Sequence, residues 1–200
     1  MKVKKNHRII SAVNLIKYNF LNYEKIIDIG ARDCLVKRLL EDQSKYLSID
    51  IYQNSLNNID IVGDVTNLDL SFIGKNDIVL ALDVLEHIDD IHTIVERLFK
   101  SNAKAILICL PNTSNWKYRF NYLIEGRFPG NKYKLISDSR IIDRHRWVTP
   151  IFESISMVKI MCKKTDRKFS FYPVDRHFLK LRFPSFLTGF RSWAAYFIIT

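Results

Sequence analysis

The chain of 200 residues has a formal net charge of +10 and is 48% hydrophobic, which suits one globular domain with a substantial core. This composition excludes disordered and fibrous proteins. No apolar run is long enough to span a bilayer, and the basic N-terminus lacks the apolar block of a signal peptide. The cysteines show no CxxC pair, and the histidines no metal-ligand spacing. We therefore expect a cytoplasmic protein with no metal and three reduced structural thiols: Cys34, Cys109 and Cys162.

The excess of positive over negative charge lies in one half of the chain. Residues 1–100 carry 13 Lys/Arg and 15 Asp/Glu, a net charge of −2, whereas residues 101–200 carry 18 and 6, a net charge of +12. Such a field attracts phosphates, anionic lipid headgroups or nucleic acid. A simply solvated basic surface explains the same numbers, so both interpretations stay open.

Five short segments, rich in Ile and Val and bounded by turn residues, have the character of strands buried on both faces. They are Lys25–Ile29, Tyr46–Ile51, Ile59–Val62, Asp77–Leu82 and Lys104–Leu110. Apolar residues at helical spacing predict helices over 31–42 and 90–102. Strand, helix and strand in this order predict right-handed crossovers and an α/β, doubly wound, mostly parallel sheet with helices on both faces.

The pattern changes after the fifth strand. Residues 112–148 are aromatic and basic, and we expect them to form a substrate-side insertion or lid over the carboxyl edge of the sheet. Thr149 as N-cap and Pro150 at the first helical position predict a helix. Residues 168–174 and 192–200 are predicted to pair as an antiparallel hairpin at the sheet edge.

The expected organisation is therefore one domain. Residues 1–111 form its ligand-binding half and residues 112–148 the insertion. Residues 149–200 form a C-terminal helix with edge strands.

Acidic residues follow three of the predicted strands, at the edge where open parallel sheets bind ligands. Asp28 and Gly30 follow the first strand, Asp50 the second and Asp64 the third. Asp50 lies twenty positions after Gly30, the spacing at which a carboxylate meets the hydroxyls of an adenosine ribose. The pattern predicts a pocket for a nucleoside.

The single glycine discriminates between nucleoside cofactors. A dinucleotide pyrophosphate favours several glycines, so that backbone N–H groups and a helix N-terminus can approach it. S-adenosylmethionine (SAM) carries no phosphate but a cationic sulfonium and an amino group, and Asp28 would suit these charges. The missing glycines therefore count against NAD more than against SAM.

The series "IIDIGARDC", "YLSIDIY", "IVGDVTNL", "DIVLALDVLEHIDD" and "ILICLPN" resembles class I SAM-dependent methyltransferases in order and spacing. The "DVLEHI" element is especially like the broad group that includes ubiquinone-, methionine- and glycan-pathway methyltransferases. The similarity is strong over about residues 20–112 and weaker beyond. It implies a Rossmann-like fold, SAM as cofactor and methyl transfer to an acceptor.

The resemblance implies cofactor contacts for seven residues, with Asp50 on the ribose hydroxyls through charge-assisted hydrogen bonds. Asp28 and Gly30 would lie under the methionine part of SAM, and Asp64 and Val65 would meet the adenine. Leu82 and Asp83 would lie near the transferable methyl group. Arg32 and Cys34 interrupt the glycine pattern of the family, which puts the tightness of cofactor binding in question.

A general base is required only if the acceptor is a hydroxyl or a protonated amine. His87 and His145 are the candidates, although His87 could cap or pack at the start of a helix and His145 could be solvated. Trp116, Arg119 and Arg146 are predicted to contact the acceptor. Simple cover for the sheet by the aromatic residues of this segment is the alternative.

The sequence therefore predicts a SAM-dependent methyltransferase acting on a small-molecule, lipid-linked or glycan-type acceptor. The basic C-terminal half favours an acceptor that is anionic or lies at a membrane surface. No "NPPY"-type element follows the fourth strand, which argues against methylation of DNA bases or protein glutamine. The alternatives are a catalytically degenerate partner subunit of the same fold and a basic nucleic-acid-binding module.

Overall fold

The computed structural model describes residues 7–128, 132–133, 144–174 and 188–200. Seven strands form one sheet in the order β3-β2-β1-β4-β5-β7-β6. Their bounds are Ile26–Ile29 (β1), Tyr46–Asp50 (β2), Ile61–Val62 (β3), Ile78–Leu82 (β4), Ala105–Pro111 (β5), Phe169–Val174 (β6) and Ala194–Ile199 (β7). The prediction of a mostly parallel, doubly wound α/β sheet is confirmed.

The order of the sheet reverses next to its first strand. β1 pairs in parallel with β2 on one side and with β4 on the other, so the switch point of the sheet lies between β1 and β4. β5 continues the parallel part. β7 then pairs antiparallel with both β5 and β6, which confirms the predicted C-terminal hairpin.

Helices cover both faces of the sheet. Their bounds are His7–Asn19 (α1), Ile91–Lys100 (α2), Trp116–Glu125 (α3), Ile151–Thr165 (α4) and Thr188–Arg191 (α5). Apolar residues of α2 and α4 pack on one face of the strands, and apolar residues of α1 pack on the other. Successive side chains of a strand point to opposite faces, so Ile27 and Ile29 join the first core while Ile26 joins the second.

The helix predicted over residues 31–42 is wrong. This segment contains turns and one short 3-10 helix, Lys37–Leu39. Arg32 and Cys34 have φ angles of 48° and 50°, a left-handed conformation that a right-handed helix cannot accommodate. The segment still buries Cys34, Val36 and Leu40 beneath α1, so its apolar spacing reports burial without helix formation.

Three smaller expectations also need correction. The third strand is only two residues long. The Ser48 N–H of β2 donates to the Asp60 carboxylate and not to a backbone carbonyl, so the ladder does not extend to Asp60. Pro150 is the N-cap of α4, while Thr149 Oγ1 donates to the Pro111 carbonyl. Glu86 and His87 lie in a 3-10 turn, Leu85–His87, and the following helix begins only at Ile91.

α1 was not predicted from the sequence.

None of the described helices is both long and apolar enough to cross a membrane. The proposed division into residues 1–111, 112–148 and 149–200 stays a prediction. The described part of the insertion contains α3, and residues 134–143 lie outside the described residues.

Candidate functional site at the switch point

Gly30 sits at the carboxyl end of β1 and allows the strand to approach the segment after β4. Its φ of 73° favours glycine, and a Cβ atom placed here would lie 2.5 Å from Val84 Cγ2 and 2.8 Å from Val84 Cβ. The Gly30 N–H donates to the Ile49 carbonyl of β2 at 2.8 Å. The glycine is therefore required by packing and by backbone conformation together.

The loop after Gly30 has a left-handed backbone at both positions where the resemblance to class I methyltransferases implies further glycines. Arg32 and Cys34 adopt φ angles of 48° and 50°. The Arg32 N–H donates to Asp50 Oδ2 at 2.8 Å, and its carbonyl accepts from Asn54 Nδ2 at 2.7 Å. The side chain of Cys34 is buried, 3.5 Å from Asn58 Oδ1. The loop thus has the conformation of a glycine-rich loop despite its side chains.

Asp50 is the predicted ribose ligand, and the structure places it beside this loop. Its Oδ2 accepts from the Arg32 N–H, and its Oδ1 accepts from the Tyr52 N–H at 3.3 Å. An ionised carboxylate offers about four acceptor positions, so each oxygen retains one for a further donor. Asp50 is part of the switch-point loop and can still bind hydroxyl groups.

Asp28 lies inside β1 and away from the loop surface. It is 4% exposed and accepts a 2.6 Å hydrogen bond from Tyr46 Oη. Burial raises the pKa of Asp28 to about 7, although the Tyr46 hydrogen bond opposes this shift. Asp28 is thus part of the strand, and its part in shaping the loop stays a prediction.

Asp64 and Val65 follow β3. Asp64 is exposed, and its Oδ1 accepts from the backbone N–H and the hydroxyl of Thr66 at 2.9 and 2.7 Å, which stabilises the turn. Val65 is buried, and its carbonyl accepts from Arg97 Nη1 of α2 at 3.3 Å. Contact of these two residues with adenine stays a prediction.

Leu82 and Asp83 end β4 at the switch point, opposite α1. Asp83 has a left-handed φ of 54°, and its Oδ1 accepts from Arg8 Nη1 at 2.7 Å. Burial raises the pKa of Asp83 against the opposing charge of Arg8. The Arg8 carbonyl also accepts from Tyr196 Oη, so Arg8 fixes α1 to the sheet beside the site. Arg8 was not predicted as a site residue. The signal that could have located its helix is the helical spacing of the buried residues Ala12, Val13 and Ile16.

The turn after β4 brings an acid and two histidines together. Glu86 is 1% exposed, and its Oε1 lies 4.0 Å from His87 Nε2 and 3.9 Å from His145 Nε2. Burial first, and then the charge of Asp83, raises the pKa of Glu86 to about 8. The two imidazole rings meet edge to face with centroids 4.6 Å apart. His145 is buried, so the interpretation of it as a solvated side chain is wrong.

The segment of residues 144–147 is bound to this turn by its backbone and by Trp147. The Arg146 N–H donates to the Glu86 carbonyl at 2.8 Å, and Trp147 Nε1 donates to the Ile88 carbonyl at 2.8 Å. His87 Nδ1 lies 3.0 Å from the Arg144 carbonyl. These contacts explain how a histidine so distant in the sequence reaches the end of β4.

The three predicted acceptor contacts lie on the surface. Trp116 begins α3 and is 48% exposed, and Arg119 Nε donates to the Ser114 carbonyl at 2.6 Å. Arg146 pairs with exposed Asp89 at 3.0 Å. The ring that leads from α3 toward His145 is Tyr118, which packs against Tyr133 with ring centroids 6.4 Å apart. Contact of Trp116, Arg119 and Arg146 with an acceptor stays a prediction.

This arrangement was compared with known proteins. No protein-family model matches the sequence, and no curated protein matches it. Among solved structures, 188 chains match. The methyltransferase domain of bacterial CtHen1 is 19% identical with a TM-score of 0.60, and the match covers 96% of this chain and 97% of that one. The fold is that of class I SAM-dependent methyltransferases.

Other structures with this fold carry different names. Magnesium protoporphyrin IX methyltransferase from Synechocystis PCC 6803, solved with bound S-adenosylhomocysteine, is 13% identical with a TM-score of 0.57 over 96% of this chain and 81% of that one. The small RNA methyltransferase HEN1 is 16% identical with a TM-score of 0.61 over 96% of this chain and 25% of that one. At these identities the likeness shows the fold, and the acceptors in these names are those of the named proteins.

Proposed function

We propose that the chain is a SAM-dependent methyltransferase that acts on an anionic small-molecule, lipid-linked or glycan-type acceptor. One observation carries the proposal. At the switch point of a class I methyltransferase sheet, a loop with glycine-like backbone meets the Asp50 carboxylate, which retains acceptor capacity on both oxygens.

The chemistry of the residues at the switch point fits SAM. Asp50 can accept from ribose hydroxyls, and the acids at the end of β4 suit a cation. A pyrophosphate favours a loop with several glycines, whereas Arg32 and Cys34 occupy two of the left-handed positions of this loop. When bound, SAM supplies an electrophilic methyl group on a good leaving group. The chain then mainly has to hold the acceptor in line with that methyl group and exclude water.

The acceptor side supports an anionic acceptor. Residues 101–200 carry a net charge of +12, and Arg146 lies beside the turn that contains Glu86. α3 presents Trp116, Phe120 and Leu123 to solvent. His87 and His145 remain the proposed general bases for a hydroxyl acceptor, a role that requires that their Nε2 atoms hold no metal ion.

Calorimetry with SAM and S-adenosylhomocysteine tests the proposal. We expect both to bind, and we expect Asp50→Asn to weaken the binding by at least about tenfold, since a charge-assisted pair of hydrogen bonds is lost. Asp69→Asn is the matched control, because Asp69 is an exposed turn acid whose partner is Ser71. Absence of binding by the wild-type chain would refute the enzyme and favour the degenerate partner subunit.

Nucleic acid is the second candidate acceptor. It is favoured by the basic C-terminal half and by the exposed Trp116 and Lys117 of α3, since aromatic and cationic side chains bind single strands together. Labelled methyl transfer to short RNA at low salt tests this candidate. A steep loss of binding with added salt would support it, because phosphate contacts release counterions.

A further inference from the structure

Glu86, His87 and His145 form a compact group of metal-ligating side chains at the end of β4. Each offers one ligand atom, and the three atoms lie within 4.8 Å of one another. Two of the separations are 4.0 Å, from Glu86 Oε1 to His87 Nε2, and 3.9 Å, from Glu86 Oε1 to His145 Nε2. Asp83 is not a member of this group.

Hydrogen bonds on the far side of both rings fix how the histidines face the carboxylate. His87 Nδ1 lies 3.0 Å from the Arg144 carbonyl, and His145 Nδ1 lies 2.7 Å from Tyr133 Oη. Metal-binding histidines commonly hold their second ring nitrogen in this way, which fixes the tautomer and the ring orientation. The Nε2 atoms of both rings lie on the side of Glu86, within 4.0 Å of its Oε1.

The carboxylate itself provides a second, independent observation. Glu86 is 1% exposed, and its Oε2 is buried without a hydrogen-bond partner among the described residues. A buried carboxylate oxygen without a partner is costly, and buried charges are normally paired or bound to metal. A cation between Glu86 and the two imidazoles supplies the missing partner.

We propose that Glu86, His87 and His145 bind one divalent first-row transition ion. Zinc–nitrogen and zinc–oxygen bonds are about 2.0–2.2 Å long, so two ligands of one ion lie at most about 4.2 Å apart. The two separations from Glu86 already meet this limit, and a small rotation of one ring closes the group. Two imidazoles and one carboxylate favour Zn²⁺, Co²⁺ or Mn²⁺ over Mg²⁺ and Ca²⁺, which prefer oxygen ligands.

The site has three protein ligands because Arg8 holds Asp83 away from it. The Arg8 guanidinium binds Asp83 Oδ1 at 2.7 Å, so this acid is engaged by α1 instead of serving as a fourth ligand. A three-ligand site leaves positions open for water or an acceptor oxygen. Binding and orienting the acceptor is a role that rests on the proposed function, whereas metal binding does not. His145 lies 58 positions after His87 in the sequence, which is why the spacing of the histidines predicted no metal.

Metal binding by the full chain is tested after dialysis against a chelator. Titration with CoCl₂ should give the visible absorption of low-coordinate Co²⁺, and ZnCl₂ should displace it and raise the melting temperature reversibly. MgCl₂ should do neither. No cobalt spectrum and no shift in melting temperature would overturn the site, even if SAM binds as proposed.

Variants then assign the ligands. Glu86→Gln, His87→Asn and His145→Asn should each weaken Co²⁺ binding by at least about 10–100-fold. His92→Asn, an exposed histidine of α2, should not. Thermal melts without metal show which variants fold, and His87→Asn is decisive if the two buried positions do not tolerate change. Full retention of affinity by folded His87→Asn contradicts the assignment.

Arg8→Met tests the role of Arg8. Release of Asp83 as a fourth ligand should tighten Co²⁺ binding by about tenfold, while Asp83→Asn should weaken it less than Glu86→Gln does. An unchanged or weaker affinity of Arg8→Met would contradict this role of Arg8, whereas an Asp83→Asn defect equal to that of Glu86→Gln would overturn the three-ligand arrangement.

Discussion

The acids that follow β2 and β3 differ from those that follow β4. Asp50 and Asp64 each accept from the N–H of a residue two positions later, and Asp50 also accepts from the Arg32 N–H of the loop after β1. Asp83 instead binds the Arg8 side chain, 75 positions away, and Glu86 is buried beside a histidine that arrives from another segment. The first pair is therefore held by backbone N–H groups, whereas the second faces side chains from distant segments.

This difference assigns different chemistry to the two sides of the switch point. Acids that accept from backbone N–H groups retain acceptor positions, which suit the hydroxyl groups of a neutral ribose. Buried acids either pair with a cation, as Asp83 does with Arg8, or take up a proton. We therefore expect ligands of different chemistry on the cofactor side and on the β4 side.

The largest expected effect concerns the contact that joins the two sides. Gly30→Ala places a Cβ atom 2.5 Å from Val84 Cγ2 at a φ of 73°, so we expect a loss of about 2–4 kcal/mol in the free energy of unfolding. SAM affinity should fall with it. Urea denaturation measures the loss, and Gly126→Ala is the control.

Gly126 has a similar φ of 64°, but a Cβ atom there would meet nothing within 4 Å. This variant should lose only about 1 kcal/mol, the cost of the left-handed backbone. Equal losses in both variants would show that backbone conformation alone, and not the contact with Val84, makes Gly30 necessary.

Asp28 provides the next test through pH. Its pKa of about 7 in the folded chain lies above the ordinary value of 3.8. Between these values the unfolded chain releases the proton and the folded chain keeps it, so this group lowers stability as pH rises from about 4 to about 7. Asp28→Asn cannot titrate. Its stability relative to wild type should therefore rise by a few kcal/mol over that range and then stay constant.

Thermal or urea unfolding at several pH values measures this difference. Asp69→Asn should show the opposite sign, because hydrogen bonds from Ser71 lower the pKa of Asp69. Its contribution to stability is lost as pH falls through the folded pKa. Parallel pH curves for wild type and Asp28→Asn would contradict a raised pKa in the folded chain.

The strands, and the positions of the acids at their ends, could be predicted because their signals are local. Runs of Ile and Val marked β1, β4 and β5, and the spacing from Gly30 to Asp50 placed the acid at the end of β2. The segment 31–42 shows the limit of such signals. Its apolar spacing was read as a helix, but two left-handed residues, Arg32 and Cys34, turn the backbone out of helical conformation.

The β4 side could not be predicted to the same extent. His87 and His145 were both identified, yet nothing in their spacing indicates that the hydrogen bond from Arg146 to the Glu86 carbonyl brings them together. The pairing of Arg8 with Asp83 likewise depends on how α1 packs on the sheet. Contacts of this kind follow from the tertiary fold alone.

Tyr133→Phe tests whether the β4 side is positioned from outside the group. It removes the hydroxyl 2.7 Å from His145 Nδ1, and we expect about 1 kcal/mol of lost stability and about tenfold weaker Co²⁺ binding. Tyr122→Phe, an exposed ring that packs on Phe128, should change neither quantity. A loss of stability with unchanged Co²⁺ affinity would make Tyr133 a packing residue only.

The smallest effect is expected at Arg32, where the loop adopts a glycine-like backbone without glycine. Arg32→Gly relieves the left-handed strain but adds conformational freedom to the unfolded chain, so the free energy of unfolding should stay unchanged or rise by up to about 1 kcal/mol. The hydrogen bonds of Arg32 with Asp50 and Asn54 use its backbone and survive the change, so SAM affinity should also persist. Arg38→Gly, within the Lys37–Leu39 turn, lacks the strain and should lose about 0.5–1 kcal/mol. If urea denaturation shows equal losses in the two variants, Arg32 adopts its left-handed backbone without strain, and the interrupted glycine pattern is no weakness of the cofactor side.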